Sequence, residues 1–335
     1  MSAFSALYGV GSVIFSRVFV KLPVPSGNSE LSNQIIIVTG ANTGLGFEAC
    51  LHLSRLGVGK LIMAVRTVAK GADAREKILN STGRSESSIE VWPVDMDSYD
   101  SIKSFANRAS QLPRLDGVLA NAGVMTANFS LSEHNEKSLN VNVISTFFLY
   151  LLLLPKMRES GQNTGHVCRY SIPNSALHYA APLAELDPDS PGIIDRLNDP
   201  QKANMAGRYH LSKLLVLYAV REFAERTSSS GKGACIINTP NPSFCKSNLA
   251  NESQGSRGFK IFEKLLARST EEGSRVLVHG LLAGQETNGQ YLSNCHVEIP
   301  AYHVTGKWGQ KVQKKFFGEL MDKLEDIQPG ISSNI

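Results

Sequence analysis

Two groups of residues in this chain of 335 could do chemistry together. Tyr209 and Lys213 stand four apart in a segment that continues with helical spacing through Leu214, Leu215, Leu217, Tyr218 and Val220. Residues i and i+4 share a helix face, so a phenol and an ammonium can reach one site. A free phenol titrates near ~10, and an adjacent ammonium favours its phenolate, which makes Tyr209 a candidate proton donor and acceptor. The second group is the turn Thr39-Gly40-Ala41-Asn42-Thr43-Gly44-Leu45-Gly46, set between the apolar run Ile35-Ile36-Ile37-Val38 and a helical pattern over Phe47 to Leu56. A strand that breaks into glycines and resumes as a helix offers backbone N–H groups to a pyrophosphate. In this G-x-x-x-G-x-G spacing, Gly40 permits the turn, Gly44 the approach of backbone to phosphate, and Gly46 the packing of helix on strand. Asn42, Thr43 and Leu45 complete the cofactor-binding turn. Arg66 lies about 20 residues further on, where a carboxylate would hold ribose hydroxyls and an arginine pairs with a 2′-phosphate. With Lys70 assisting, NADP(H) is expected rather than NAD(H).

Either group alone has a plain structural reading, a strand-to-helix loop or an ordinary surface helix. Together, and in this order, they resemble the short-chain dehydrogenase/reductase superfamily. The resemblance also rests on Asn121-Ala122-Gly123 after Val118-Leu119-Ala120, on Asn142 in Val141-Asn142-Val143, and on a serine upstream of Tyr209. Ala64-Val65-Arg66, Ser175-Ala176-Leu177-His178 and the long segment before Tyr209 look like the retinol-dehydrogenase-like branch, especially fungal members encoded with natural-product pathways. This resemblance implies a catalytic set of Asn142, Ser175, Tyr209 and Lys213. Asn142 would position a water chain to Lys213, Lys213 would also hold the nicotinamide ribose, Asp95 would lie near the adenine amino group, and Asn121 would line the cofactor groove. The implied reaction interconverts a ketone and a secondary alcohol on an apolar metabolite, such as a polyketide or terpenoid.

The chain departs from the family pattern around the serine. Two adjacent serines are usual, whereas this chain reads Cys168-Arg169-Tyr170-Ser171-Ile172-Pro173-Asn174-Ser175. Alignment on the serine three before His178 selects Ser175, with Asn174 as its neighbour; Ser171 is the alternative. Arg169 and Tyr170 fall where a buried apolar strand is expected, and Pro173 lacks an N–H, so either the strand ends early or the site is reshaped. Pro242-Ser243 stands where Pro-Gly is usual. These departures support a second reading, a catalytically weak NADP-binding sensor or partner subunit; Asn142, Tyr209 and Lys213 oppose it. His178 and His210 are read as structural or lid residues.

The elements that must position these residues alternate along the chain. Strands are expected at Ile35 to Thr39, Lys60 to Val65, near Ile89 to Val94, Gly117 to Asn121, near Val167 to Ile172, and Ala234 to Asn238, with helical patterns such as Ser101 to Leu112 and Lys137 to Met157 between them. This predicts an α/β, Rossmann-type doubly wound parallel sheet in a single domain, with ligands at the carboxyl edge. Residues 1–33 form an apolar tail, 34–295 the catalytic domain, and 296–335 a C-terminal extension. Residues 179–208 form an insertion next to Tyr209 and are the expected substrate lid. The polar stretch Asn251-Glu252-Ser253-Gln254-Gly255 is expected to be a loop beside the substrate.

A net charge of +4 without a basic, aromatic-interleaved run gives nucleic-acid binding no support. Five scattered cysteines without C-x-x-C indicate neither a disulfide framework nor a zinc site, and point to a reducing, cytoplasmic setting. Ala3 to Val20 is apolar but interrupted by Arg17. It is expected either to touch a membrane peripherally as an interfacial helix, or to dock on the domain or cover the substrate mouth. A homo-oligomer is compatible with these features, and the expected partner is a small apolar carbonyl or alcohol.

Overall fold

The structure, a computed structural model, describes residues 2–27, 29–190, 192–246 and 267–335. Its centre is a sheet of strands β1 (Ile35–Thr39), β2 (Lys60–Val65), β3 (Ile89–Pro93), β4 (Gly117–Leu119), β5 (Cys168–Ser171), β6 (Cys235–Asn241), β7 (Tyr291–Ser293) and β8 (His296–Val297). Their order is β8-β7-β6-β5-β4-β1-β2-β3. All neighbours run parallel except β8, which pairs antiparallel with β7. The strand order reverses between β1 and β4, and the crevice at that switch point is where doubly wound sheets take their ligands.

Alternation in β1 decides the layers. Ile36 and Val38 face a core shared with α2 (Gly44–Arg55), α3 (Val68–Thr82) and α7 (Thr270–Leu282), through Leu53, Ile78 and Leu277. Ile35 and Ile37 face the larger core against α4 (Tyr99–Ser110), α5 (Lys137–Thr164), α6 (Met205–Ser229) and α8 (Lys307–Ile327). A parallel strand buried on both faces reads as a near-continuous apolar run, as β1 does from Ile35 to Val38. Helix α5 is long and apolar enough to cross a membrane, yet it is buried in this second layer. Its turn Asn140–Ile144 is π-helical.

The sheet is wider than the six strands read from the sequence. Tyr291–Ser293 adds a seventh parallel strand, registered by Thr239 on Tyr291, and His296–Val297 folds back on it. Residues after Cys295, read as an extension, pack into the main core: Phe316, Phe317, Leu320 and Leu324 of α8 are buried there. The segment 179–208 is likewise packed. Leu186, Ile193 and Leu197 are buried, and the Arg208 guanidinium donates to Glu185 at 3.0 Å and to the Leu197 carbonyl at 3.1 Å. Helix α1 (Ser2–Phe19) lies along the domain: Arg268 donates to the carbonyls of Ser16 at 2.7 Å and Val20 at 3.1 Å. The stretch Asn251 to Gly255 lies outside the described residues.

Candidate active site

The glycine turn after β1 closes tightly on itself. Gly40 and Gly44 have φ of 64° and 58°, a left-handed backbone that disfavours other L-residues. At Gly46 the need is space, because a Cβ would run into the carbonyl oxygen of Gly40. Asn121, just past β4, donates its amide to the Thr39 carbonyl at 3.0 Å, and the Thr39 hydroxyl accepts from the Ala122 N–H at 2.9 Å. Those bonds lock the ends of β1 and β4 together across the switch point. Thr43 makes no side-chain cap on α2. The first N–H groups of α2, left without that cap, face a turn whose Asn42, Thr43, Gly44 and Leu45 are at least partly exposed. A pyrophosphate fits this cradle: it needs bare N–H groups and a backbone free of side-chain bulk.

Arg66 and Lys70 are exposed at and beyond the end of β2. Asp95 accepts the Asp97 N–H at 3.0 Å, while the hydroxyl of Ser101 accepts the Asp95 N–H at 2.9 Å, so this acid is fixed at the end of β3. Burial works against ionisation of the nearby Asp97. Hydrogen bonds from Lys137 and Ser132 and the charges of Lys137 and Arg66 outweigh it and hold the carboxyl below its usual range.

Tyr209 and Lys213 lie on one face of α6, with the ammonium 5.5 Å from the centre of the phenol ring. The Lys213 ammonium donates to the Pro173 carbonyl at 2.8 Å. Burial lowers the lysine to about 8 and raises the phenol to about 12. The expected depression of the phenol by its neighbour is therefore absent here: the ammonium lies over the ring and is spent on Pro173, so desolvation dominates.

Asn142 sits in the π-helical turn of α5. Its Oδ1 accepts the Val124 N–H at 2.8 Å, and its Nδ2 donates to the Val124 carbonyl at 2.9 Å and to the Ser212 hydroxyl at 3.1 Å. Ser212 in turn donates to the Tyr209 carbonyl at 2.8 Å. Asn142 thus ties the segment after Asn121 to the helix of Tyr209. Ser212 carries no spacing signal in the sequence and is seen only in three dimensions.

The irregular strand resolves into separate local causes. Arg169 donates to the carbonyls of Ala283 at 2.7 Å and Val167 at 3.0 Å, and Tyr170 is buried edge-on against Tyr150 with its hydroxyl on the Thr146 carbonyl at 2.9 Å. Both polar residues are satisfied. Strand β5 ends at Ser171, yet Ile172 and Asn174 still donate to the carbonyls of Asn238 and Pro240 on β6. Alternate residues face β4, which ends at Leu119, so Pro173 stands where no N–H has a strand to meet. Its carbonyl is what Lys213 finds.

Ser171 is fully buried, with its hydroxyl on Asn238 at 2.8 Å. Ser175 is partly exposed just past the sheet edge, and its hydroxyl accepts the Leu177 N–H at 3.2 Å. Asn174 accepts the Ser175 N–H at 2.7 Å and donates to the Lys213 carbonyl at 3.2 Å. We expect Ser175→Ala to lower turnover while the melting temperature holds, and Ser171→Ala to lower the melting temperature by breaking a buried bond. Turnover and thermal melts of the two variants check this; a Ser171→Ala protein with normal stability and the greater loss of turnover would reverse the assignment.

His178 is structural. Its Nδ1 is 2.8 Å from the Ser175 carbonyl, its Nε2 accepts the Ala301 N–H at 3.2 Å, and burial lowers it to about 3. Burial also lowers His210. Ser243 has φ of 64°, the backbone a glycine would take, and its N–H donates to Asn241 at 2.9 Å. The serine keeps the glycine conformation there at a cost of roughly 1 kcal/mol.

Comparison with known proteins identifies the family. The family described as short chain dehydrogenase matches residues 34–179. The short chain dehydrogenase/reductase dmxR8 of Cryptosporiopsis sp. (strain 8999) is 40% identical over 324 residues, covering 96% of this chain and 99% of its own length. The short chain dehydrogenase atnD of Emericella nidulans is 43% identical over 287 residues, covering 84% and 90%. Among solved structures, the short chain dehydrogenase of Shigella flexneri has a TM-score of 0.58 at 19% identity, covering 84% of this chain and 97% of that one. A chain from Escherichia coli CFT073, complexed with NADPH, has a TM-score of 0.55 at 21% identity, covering 79% and 97%. With relatives this similar along nearly its whole length, and with its glycine cradle, Tyr209 and Lys213 at one sheet edge, this chain belongs to the short-chain dehydrogenase/reductase family, oxidoreductases that use a nicotinamide cofactor.

Proposed function

We propose that this protein is an NADP(H)-dependent oxidoreductase that interconverts a ketone and a secondary alcohol on an apolar metabolite, in fungal secondary metabolism on a polyketide or terpenoid. The observation that carries the reading is the pairing of Tyr209 and Lys213 on one face of α6, beside the glycine cradle at the carboxyl edge of the sheet. Gly40, Asn42, Thr43, Gly44, Leu45 and Gly46 would take the pyrophosphate, Asp95 and Asn121 the adenine end and the groove, and Lys213 the nicotinamide ribose. Bound there, the nicotinamide supplies or accepts a hydride. Tyr209 gives a proton to the substrate oxygen in reduction and takes it back in oxidation; Ser175 donates a hydrogen bond to that oxygen, and Asn142 holds the segment that borders the site.

NADP(H) is preferred because Arg66 is exposed at the end of β2, where a 2′-phosphate would meet it. The setting is proposed to be cytoplasmic, in keeping with five free cysteines. Ser243 preserves the backbone of the missing glycine, so this departure lends no support to a catalytically weak sensor.

Two measurements test the proposal. Steady-state NADPH oxidation with a panel of apolar ketones should show turnover, and binding without turnover on any carbonyl would favour the sensor. Arg66→Asp should weaken NADPH binding more than NADH binding, by about tenfold or more, since it removes a phosphate partner and adds like charge. An unchanged ratio of the two dissociation constants would remove the cofactor assignment.

A further inference from the structure

Helix α1 is built inside out for a helix on a water-facing surface. The side turned to the domain carries small and polar residues: Gly9, where a Cβ would lie 2.9 Å from the Tyr179 Cβ, Ser12, and Ser16, which is buried and bonded to Asn294 at 2.5 Å. The side turned outward carries the large apolar ones. Phe4 is 81% exposed, Leu7 71%, Val18 60% and Phe19 72%, and the rings of Phe15 and Phe19 lie together at 5.1 Å. A docked surface helix normally buries its apolar stripe and shows its polar one; here the order is reversed while the docking contacts are made.

The apolar face continues beyond α1. Tyr8 packs on Tyr179 with ring centres 5.2 Å apart and donates to Glu298 at 3.1 Å; Tyr179 donates to the Ile299 carbonyl at 2.6 Å. Ile299 is 76% exposed and Tyr302 62%. Exposed apolar surface of this extent marks a place where something else binds.

Charge selects the occupant. The first 29 residues contain no Asp or Glu, while Arg17 and Lys21 are exposed beside Val18 and Phe19. Glu298, on the neighbouring surface, is engaged by Tyr8 and lies 3.4 Å from His296, and Glu271, near the end of this segment, is paired with Arg275 at 2.8 Å. In a two-fold contact with a second copy the same patch meets itself, and the copy's residues 1–29 hold no Asp or Glu to meet Arg17 and Lys21. An anionic leaflet offers both what the face lacks and what it needs: phosphate-bearing headgroups for Arg17 and Lys21 and acyl chains for the aromatic and aliphatic side chains. We propose that α1 and the neighbouring Ile299–Tyr302 surface seat the enzyme on an anionic phospholipid bilayer, with α1 lying in the interface plane. Because α1 packs directly on the turn after Ser175, the seat holds that side of the catalytic domain against the source of an apolar compound.

Sedimentation with vesicles tests this without any turnover, so its outcome is separate from that of the proposed reaction. The full chain should sediment with phosphatidylcholine vesicles containing phosphatidylserine, less with phosphatidylcholine alone, and less as salt rises. Phe15→Glu with Phe19→Glu should lower vesicle affinity about tenfold or more with an unchanged thermal melt. Arg17→Gln with Lys21→Gln keeps the apolar face and should lose only the preference for anionic lipid, which decides the matter even where the first pair folds poorly. A wild-type protein that stays in the supernatant with both vesicles overturns the proposal. So does equal binding by all variants, or a dimer in light scattering that the phenylalanine substitutions dissociate.

Discussion

Tyr209→Phe is expected to lower carbonyl reduction by about 10²–10⁴-fold, the usual contribution of a positioned general acid. The substitution keeps the ring, its place on α6 and its contact with the Lys213 ammonium, and deletes only the hydroxyl. NADPH affinity and thermal stability should therefore stay close to wild type. Fluorescence titration with NADPH beside steady-state reduction separates the two effects. A Tyr209→Phe enzyme turning over at the wild-type rate would remove the phenol from the mechanism.

Lys213→Met should damage turnover and cofactor binding together, because the ammonium braces the Pro173 carbonyl beside the ring of Tyr209 and would hold the nicotinamide ribose. Its titration adds a signature. Burial lowers this lysine from 10.5 to about 8, and a lysine is cationic below its pKa. NADPH affinity of the free enzyme should therefore fall as pH rises through about 8, and Lys213→Met should flatten that fall; a wild-type profile without it would show that the charge on Lys213 does not hold the cofactor. The sign for stability is the opposite. The folded pKa lies below the unfolded one, so the unfolded chain binds the proton more tightly, and the cost of the buried charge, present in full below about 8, is relieved as pH rises from there towards 10.5.

Much of the site was legible because its residues obey local rules. A β-branched run that breaks into a glycine turn reads as a buried strand, and glycine suits a positive φ or a place under a neighbouring carbonyl best, so β1 and its turn stand where the sequence puts them. The i, i+4 spacing of Tyr209 and Lys213 is equally local. What was not legible depends on long-range partners. Three residues, Tyr291 to Ser293, become a strand only because β6 is there to pair with them. Arg169 and Tyr170 are tolerated in β5 only because carbonyls of Ala283 and Thr146 come to meet them. The partner of Lys213, a proline carbonyl beyond the end of β4, follows from where a neighbouring strand stops. The outward apolar side of α1 was visible as composition, but which side faces the domain was not, since Gly9, Ser12 and Ser16 mark a docking face only once Tyr179 and Asn294 are opposite them.

The most direct test of the central claim follows the transferred hydrogen. NADPH deuterated at C4, prepared with the label on each face in turn, is incubated with the wild-type enzyme and a ketone it reduces, and the alcohol is examined by mass spectrometry and NMR. The account predicts that one of the two labelled cofactors delivers deuterium to the carbinol carbon, that the other does not, and that Tyr209→Phe slows this transfer without changing the face used. An alcohol free of label from both cofactors would contradict it.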